Sequence, residues 1–207
     1  MISIFDNLPA QTRASCLMFV ALFMFTVMGI CIRLSAAHLP VIEVVFFRNF
    51  LAVLILLPLV ARIGFGTLRM QRPKLFFLRA AINAVGMFCG FTALTLIPLA
   101  QMTALSFTTP LFVTIGAVAF LGEVIRARRI AAICIGFLGT LIILQPGIVD
   151  VTTGALLALV SALTIAMASL IVKTLTRSES QHAIVTWMVV MQAPLALIPA
   201  LWVWQWP

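Results

Sequence analysis

Apolar residues along this chain fall into seven long runs, with no sustained alternation. The runs cover residues 14–34, 41–61, 75–97, 100–121, 130–145, 154–173 and 183–204. Each approaches the roughly 20 residues an α-helix needs to cross a hydrocarbon core about 30 Å thick; the fifth is the shortest. The pattern predicts an all-α, polytopic membrane helix bundle. Continuous runs exclude a β-barrel, whose strands would alternate between lipid and lumen.

Charge turns the pattern into an orientation. Arg13 precedes the first run, and Arg62, Arg69, Arg72, Lys74 and Arg79 surround the second connection. Arg126, Arg128 and Arg129 lie in the fourth connection, and Lys173 and Arg177 in the sixth. The first, third and fifth connections carry no Lys or Arg; Arg33 and Arg48 lie inside runs. If the helices alternate, the basic connections share one side. The positive-inside rule then predicts a cytoplasmic N-terminus in a bacterial-type inner membrane, with residue 207 outside after seven crossings.

At 64% hydrophobic and 9% charged, the chain has too little polar surface for a soluble domain. The net charge of +8 is accounted for by the basic connections, so no nucleic-acid partner is expected. Cys16, Cys31, Cys89 and Cys134 all lie in runs, without a Cys-x-x-Cys pair, and His38 and His182 form no cluster. Neither a disulfide, a metal nor a cofactor is expected. The first run is too long for a signal-peptide core, and Arg33 interrupts the approach to Ser35 and Ala37, so it reads as a retained helix.

Sliding the chain by 140 residues lays the first run on the sixth. Val20 meets Val160, Ala21 meets Ser161, Gly29 meets Ser169, Ile32 meets Val172 and Arg33 meets Lys173. Five spans separate the copies, so the second enters the membrane from the opposite side. Inverted repeats of this kind build alternating-access transporters. The expected organisation is a first five-helix repeat over residues 1–146 and the start of a second over 147–207, about seven helices of about ten. Such a chain is expected to be a fragment or a truncated product, with self-association one way to cover unpaired faces.

The stretch Ala104-Leu105-Ser106-Phe107-Thr108-Thr109-Pro110-Leu111-Phe112 is followed by Leu121-Gly122-Glu123, by Arg128-Arg129-Ile130, and by Gly136 and Gly139. It resembles the end of the first EamA repeat of the drug/metabolite transporter superfamily. Phe46-Phe47-Arg48-Asn49 resembles that family's second helix. The resemblance implies two five-helix repeats and movement of a small metabolite across the cytoplasmic membrane. Amino acids, nucleosides, drugs and cofactors such as S-adenosylmethionine all fall within the implied substrate range.

Several residues stand out against the apolar background. Arg48, about two turns into its run, costs roughly 2.5–3.5 kcal/mol on insertion scales. It reads as a cavity-facing contact for an anionic substrate group, or as a structural partner of another helix. Glu43 lies about 140° around the helix from Arg48 and near the level of Arg33, which suggests an Arg33–Glu43 ion pair. In the fourth run Thr103, Ser106, Pro110 and Thr114 recur on one helical face, widened by Gln101, Thr108 and Thr109. Pro110 cannot donate to the Ser106 carbonyl, which predicts a kink beside a substrate-lining face. The competing structural reading is that these hydroxyls bond their own helix.

Asn83 is a candidate polar contact, whereas Gly86 and Gly90 read as helix packing. Glu123 and Arg126 would fasten a cytoplasmic loop. Trp202, Trp204 and Trp206 suit an interfacial belt, while the deeper Trp187 is a candidate cavity residue. The expected substrate contacts are therefore Arg48, Asn83, Gln101, Thr103, Ser106, Thr109, Pro110 and Trp187.

Two other readings compete with the secondary transporter. A non-transporting membrane subunit or remnant is favoured by the missing helices. An intramembrane enzyme is less favoured: no catalytic residues are expected, because paired carboxylates, a His cluster and a Ser–His arrangement are all lacking. There is no nucleotide-binding loop, so energy would come from a gradient.

Overall fold

The computed structural model describes residues 9–63, 68–122, 124, 127–144, 152–202 and 204. Eight helices and no strand occur among them. They are α1 (Ala10–Ser35), α2 (Val41–Ile63), α3 (Pro73–Leu96), α4 (Leu99–Ser106), α5 (Thr108–Leu121), α6 (Ala127–Leu144), α7 (Thr153–Leu175) and α8 (Gln181–Ala200). Among the described residues six stretches are long and apolar enough to cross a membrane, with α4 and α5 counted as one. The apolar stretch of α6, Ile130–Gly139, is shorter.

Local chemistry explains the boundaries. Pro73 opens α3, where its missing N–H costs nothing. The side chains of Thr152 and Ser180 accept from the amides of Ala155 and Ala183, capping α7 and α8. Gly122 ends α5 in the left-handed region, with φ 64°, and its amide reaches back to Val118. Only glycine adopts that conformation without strain, which gives the Leu121-Gly122 step a physical reason.

The fourth apolar run is broken rather than merely kinked. Phe107 separates α4 from α5, and its amide bonds the Ala104 carbonyl three residues back. The Thr108 hydroxyl, itself buried, donates to the Leu105 carbonyl at 2.6 Å. Pro110 lies one turn on, and the lost donor moves the break to the residues just before it.

The core is built on α7. Its small residues Gly154, Ala155, Ala158, Ser161, Ala162 and Ala166 are buried, most extensively against α3 and also against α4 and α5. Ser161 donates to the Gly86 carbonyl of α3 at 2.9 Å, and a Cβ on Gly90 would stand only 2.6 Å from the Ser161 hydroxyl oxygen. The second main seam joins α2 to α8, with Val44 and Val45 packed with Ala196. By contrast α1 is almost wholly exposed and packs mainly along α3.

Two connections meet at one end of the bundle. Glu179, between α7 and α8, accepts from the amides of Gln71 and Arg72 at 2.8 and 2.9 Å, just before α3. The α2–α3 and α7–α8 connections thus lie together, as alternation of the helices requires.

Candidate functional site

Arg48 reaches out of α2 between α1 and α3. Its Nε donates to the Met28 sulfur at 3.3 Å, and one terminal nitrogen to the Met87 sulfur at 3.6 Å and to Asn49 Oδ1 at 3.5 Å. The guanidinium carbon stands 5.9 Å from the centre of the Phe91 ring, within cation–π range. Thioethers are weak acceptors, and the Asn49 contact is long. Five N–H donors of a half-buried cation are therefore held by soft, easily exchanged ligands. No described carboxylate pairs with it.

Beside Arg48 lies a cavity of about 600 Å³, walled by Met28, Ile32, Phe47, Leu51 and Ala52 among others. It falls in the range of sites that enclose small organic ligands, with apolar walls and one convergent charge. An apolar body against Phe47 and Leu51 with an oxyanion on Arg48 is the occupant this chemistry accepts. Buried polar groups continue along α2 and α8: Asn49 is buried, and so is Gln192, whose Nε2 has no partner among the described residues.

Other expected contacts fall elsewhere. Thr103 and Ser106 are exposed, and their hydroxyls bond the Leu99 and Met102 carbonyls of their own helix at 2.8 Å. Asn83, Gln101 and Thr109 are half-buried and Pro110 is exposed; none lines the Arg48 cavity. Trp187 is half-buried in a second cavity of about 340 Å³ between α2 and α8, and its indole N–H donates to the Leu68 carbonyl at 2.7 Å. Of the expected contacts, only Arg48 reaches the larger cavity.

Arg33 is exposed while Glu43 is wholly buried, so the structure does not bring this pair together. Glu123 and Arg126 lie outside the described residues. Trp204 is half-buried, and its ring stands 5.8 and 5.7 Å from those of Phe46 and Phe47 on α2.

The sequence reading missed the partners of Arg48. Met28, Met87 and Phe91 sit on two other helices, and apolar residues carry no signal that singles them out. It also missed Glu179, whose only clue was being an acid in a basic connection. Arg79, grouped with the loop cations, lies inside α3 and is buried.

A match to the EamA-like transporter family runs over residues 12–145. The chain belongs to that family. A riboflavin transporter of Rhizobium johnstonii is 35% identical over 156 residues, covering 75% of this chain and 52% of that protein. An S-adenosylmethionine uptake transporter of Rickettsia prowazekii is 29% identical over 199 residues, 96% of this chain and 68% of the relative. The pseudopaline exporter CntI of Pseudomonas aeruginosa is 31% identical over 184 residues, 88% and 64% respectively. The chain spans about half the length of the riboflavin transporters it matches. No solved structure matches it. Together with its apolar helices, membership of this family makes the chain an integral membrane protein.

Proposed function

We propose that this chain carries the substrate cavity of a secondary-active transporter for a small amphipathic organic anion. The cavity beside Arg48 is the observation that carries the reading: a cation deep in a span, held by two thioethers and one long amide contact, facing about 600 Å³ of apolar space. A carboxylate or phosphate bonds a guanidinium far more strongly than a thioether does, so a ligand displaces these contacts at little cost. Relatives named for riboflavin, S-adenosylmethionine and pseudopaline support an organic metabolite, and favour a carrier over an enzyme.

Alternating access is the mechanism an inverted repeat supports. Residues 1–146 form the first repeat in this reading and residues 147–207 begin the second. The α1–α2 and α7–α8 connections carry the same backbone bonds 140 residues apart, which supports the duplication. Ala36 to Ile32 repeats as Thr176 to Val172, and Leu39 to Ser35 as Glu179 to Leu175. The basic connections support a cytoplasmic N-terminus in this reading.

A metabolite library screened by thermal stability tests the reading. An organic anion is expected to stabilise the protein by mass action, and Arg48→Ala to weaken that ligand at least about tenfold. A ligand that binds equally well without Arg48 removes the cavity from the argument.

A further inference from the structure

Arg79 differs from the described cations around it, Arg69, Arg72 and Lys74. It lies six residues into α3, about 9 Å along the helix from Pro73. A side chain of that length usually snorkels, leaving its charge in water. Here the whole residue is only 9% exposed, whereas Arg69, Arg72 and Lys74 are all exposed. Its Nε has no hydrogen-bond partner among the described residues, and no described side chain forms an ion pair with it. The acid at the same end, Glu179, directs Oε1 to the Gln71 and Arg72 amides. Arg79 shares the buried face of α3 with Phe76 and Ala80, and that face packs on α7 and α8.

Leaving the buried Nε unpaired is expensive, and the guanidinium fork it belongs to matches a planar or tetrahedral oxyanion. We propose that Arg79 is the anchor of an oxyanion-binding site at the cytoplasmic end of the α3–α7–α8 seam, with Arg69, Arg72 and Lys74 drawing anions toward it. The site takes a carboxylate or phosphate, supplied either by a soluble metabolite or by the headgroup of an anionic phospholipid. It does not depend on the role given to Arg48.

The test measures melting of the full chain in neutral detergent against inorganic phosphate, with sodium chloride at matched ionic strength as reference. The parent is expected to gain about 3–6 °C at ten times the dissociation constant. Arg79→Met is expected to lose that gain and, without anion, to melt above the parent because an unpaired charge has gone. Arg79→Gln is the second variant if Arg79→Met does not fold. Arg48→Ala keeps the phosphate response, which separates this site from the substrate cavity. If inorganic phosphate is inert but phosphatidylglycerol, unlike phosphatidylcholine, stabilises the parent and not the Arg79 variants, the site stands and its source is lipid. Equal responses in the parent and both Arg79 variants, or no response to either anion, overturn the site.

Discussion

The hairpins α1–α2 and α7–α8 share one connection and differ in almost everything around it. Each leaves its first helix through the same backbone bonds, down to the first turn of the next helix, where Val44 to Pro40 repeats as Ile184 to Ser180. Yet α1 buries almost nothing and α7 a third of its spanning residues. A turn is coded by a few local residues. Burial is set by which side chains let another helix approach. On α7 these are Gly154, Ala158, Ser161 and Ala162; on α1 the outward residues include Met18, Phe19 and Phe23.

The strongest way to break that contrast is to fill the α3–α7 seam. A Cβ on Gly86 would clash with the Thr164 hydroxyl and stand 3.2 Å from Thr164 Cβ, while a Cβ on Gly29 of α1 meets nothing within 4 Å. Gly86→Leu is expected to cost about 3 kcal/mol or more, through overpacking, and Gly29→Leu to stay within about 0.5 kcal/mol of the parent. Melting in detergent checks both. Equal losses would mean that α1 is as closely packed in solution as α7.

A smaller effect falls on the connections themselves. At the offset of 140 residues position 179 falls on position 39, and there the residues differ: Glu179 ties down the segment before α3, whereas Leu39 packs against the core cluster of Ile32 and Val44. Glu179→Ala is expected to cost about 1.5–3 kcal/mol, since two amides lose a charged acceptor. Trypsin should then cut faster after Arg69, the bond after Arg72 being protected by Pro73. An unchanged cleavage rate would show that the carboxylate does not hold this end.

Most of the helices were legible because crossing a bilayer demands a long apolar run, and a chain can satisfy that demand without knowing its neighbours. Pro73, Pro98, Thr152 and Ser180 open helices for equally local reasons, although the sequence reading did not use them. The break at Phe107 was only half legible: Pro110 announced a lost donor, but the Thr108 hydroxyl helps decide where the chain yields. The site was less legible still. Arg48 was conspicuous as a cation in a run, whereas Met28, Met87 and Phe91 became its partners only through the packing of α1 and α3 on α2. The polar face of Thr103 and Ser106 was ambiguous because a hydroxyl that bonds its own helix looks the same in sequence as one that awaits a ligand.

Ser161 sharpens the contrast at single-bond resolution. It corresponds to Ala21 on exposed α1, and its hydroxyl is buried against the Gly86 carbonyl at 2.9 Å. Ser161→Ala is expected to cost about 1 kcal/mol, the net worth of one hydrogen bond, and the reciprocal Ala21→Ser almost nothing. A loss well above that would mean that the seam has shifted as well as lost a bond.

The smallest expected effect lies where the two hairpins carry related aromatics. Trp187 corresponds to Phe47, and each ring lines the cavity of its own region. The difference is one N–H: the Trp187 indole donates to the Leu68 carbonyl at 2.7 Å and holds the segment before α3 against α8. Trp187→Phe makes the second hairpin like the first at this position. It is expected to cost about 0.5–1.5 kcal/mol and to raise hydrogen exchange in the segment at residues 68–70, while leaving ligand binding beside Arg48 unchanged. If binding weakens instead, the two cavities are coupled through α2, which lines both, and the second belongs to the transport path.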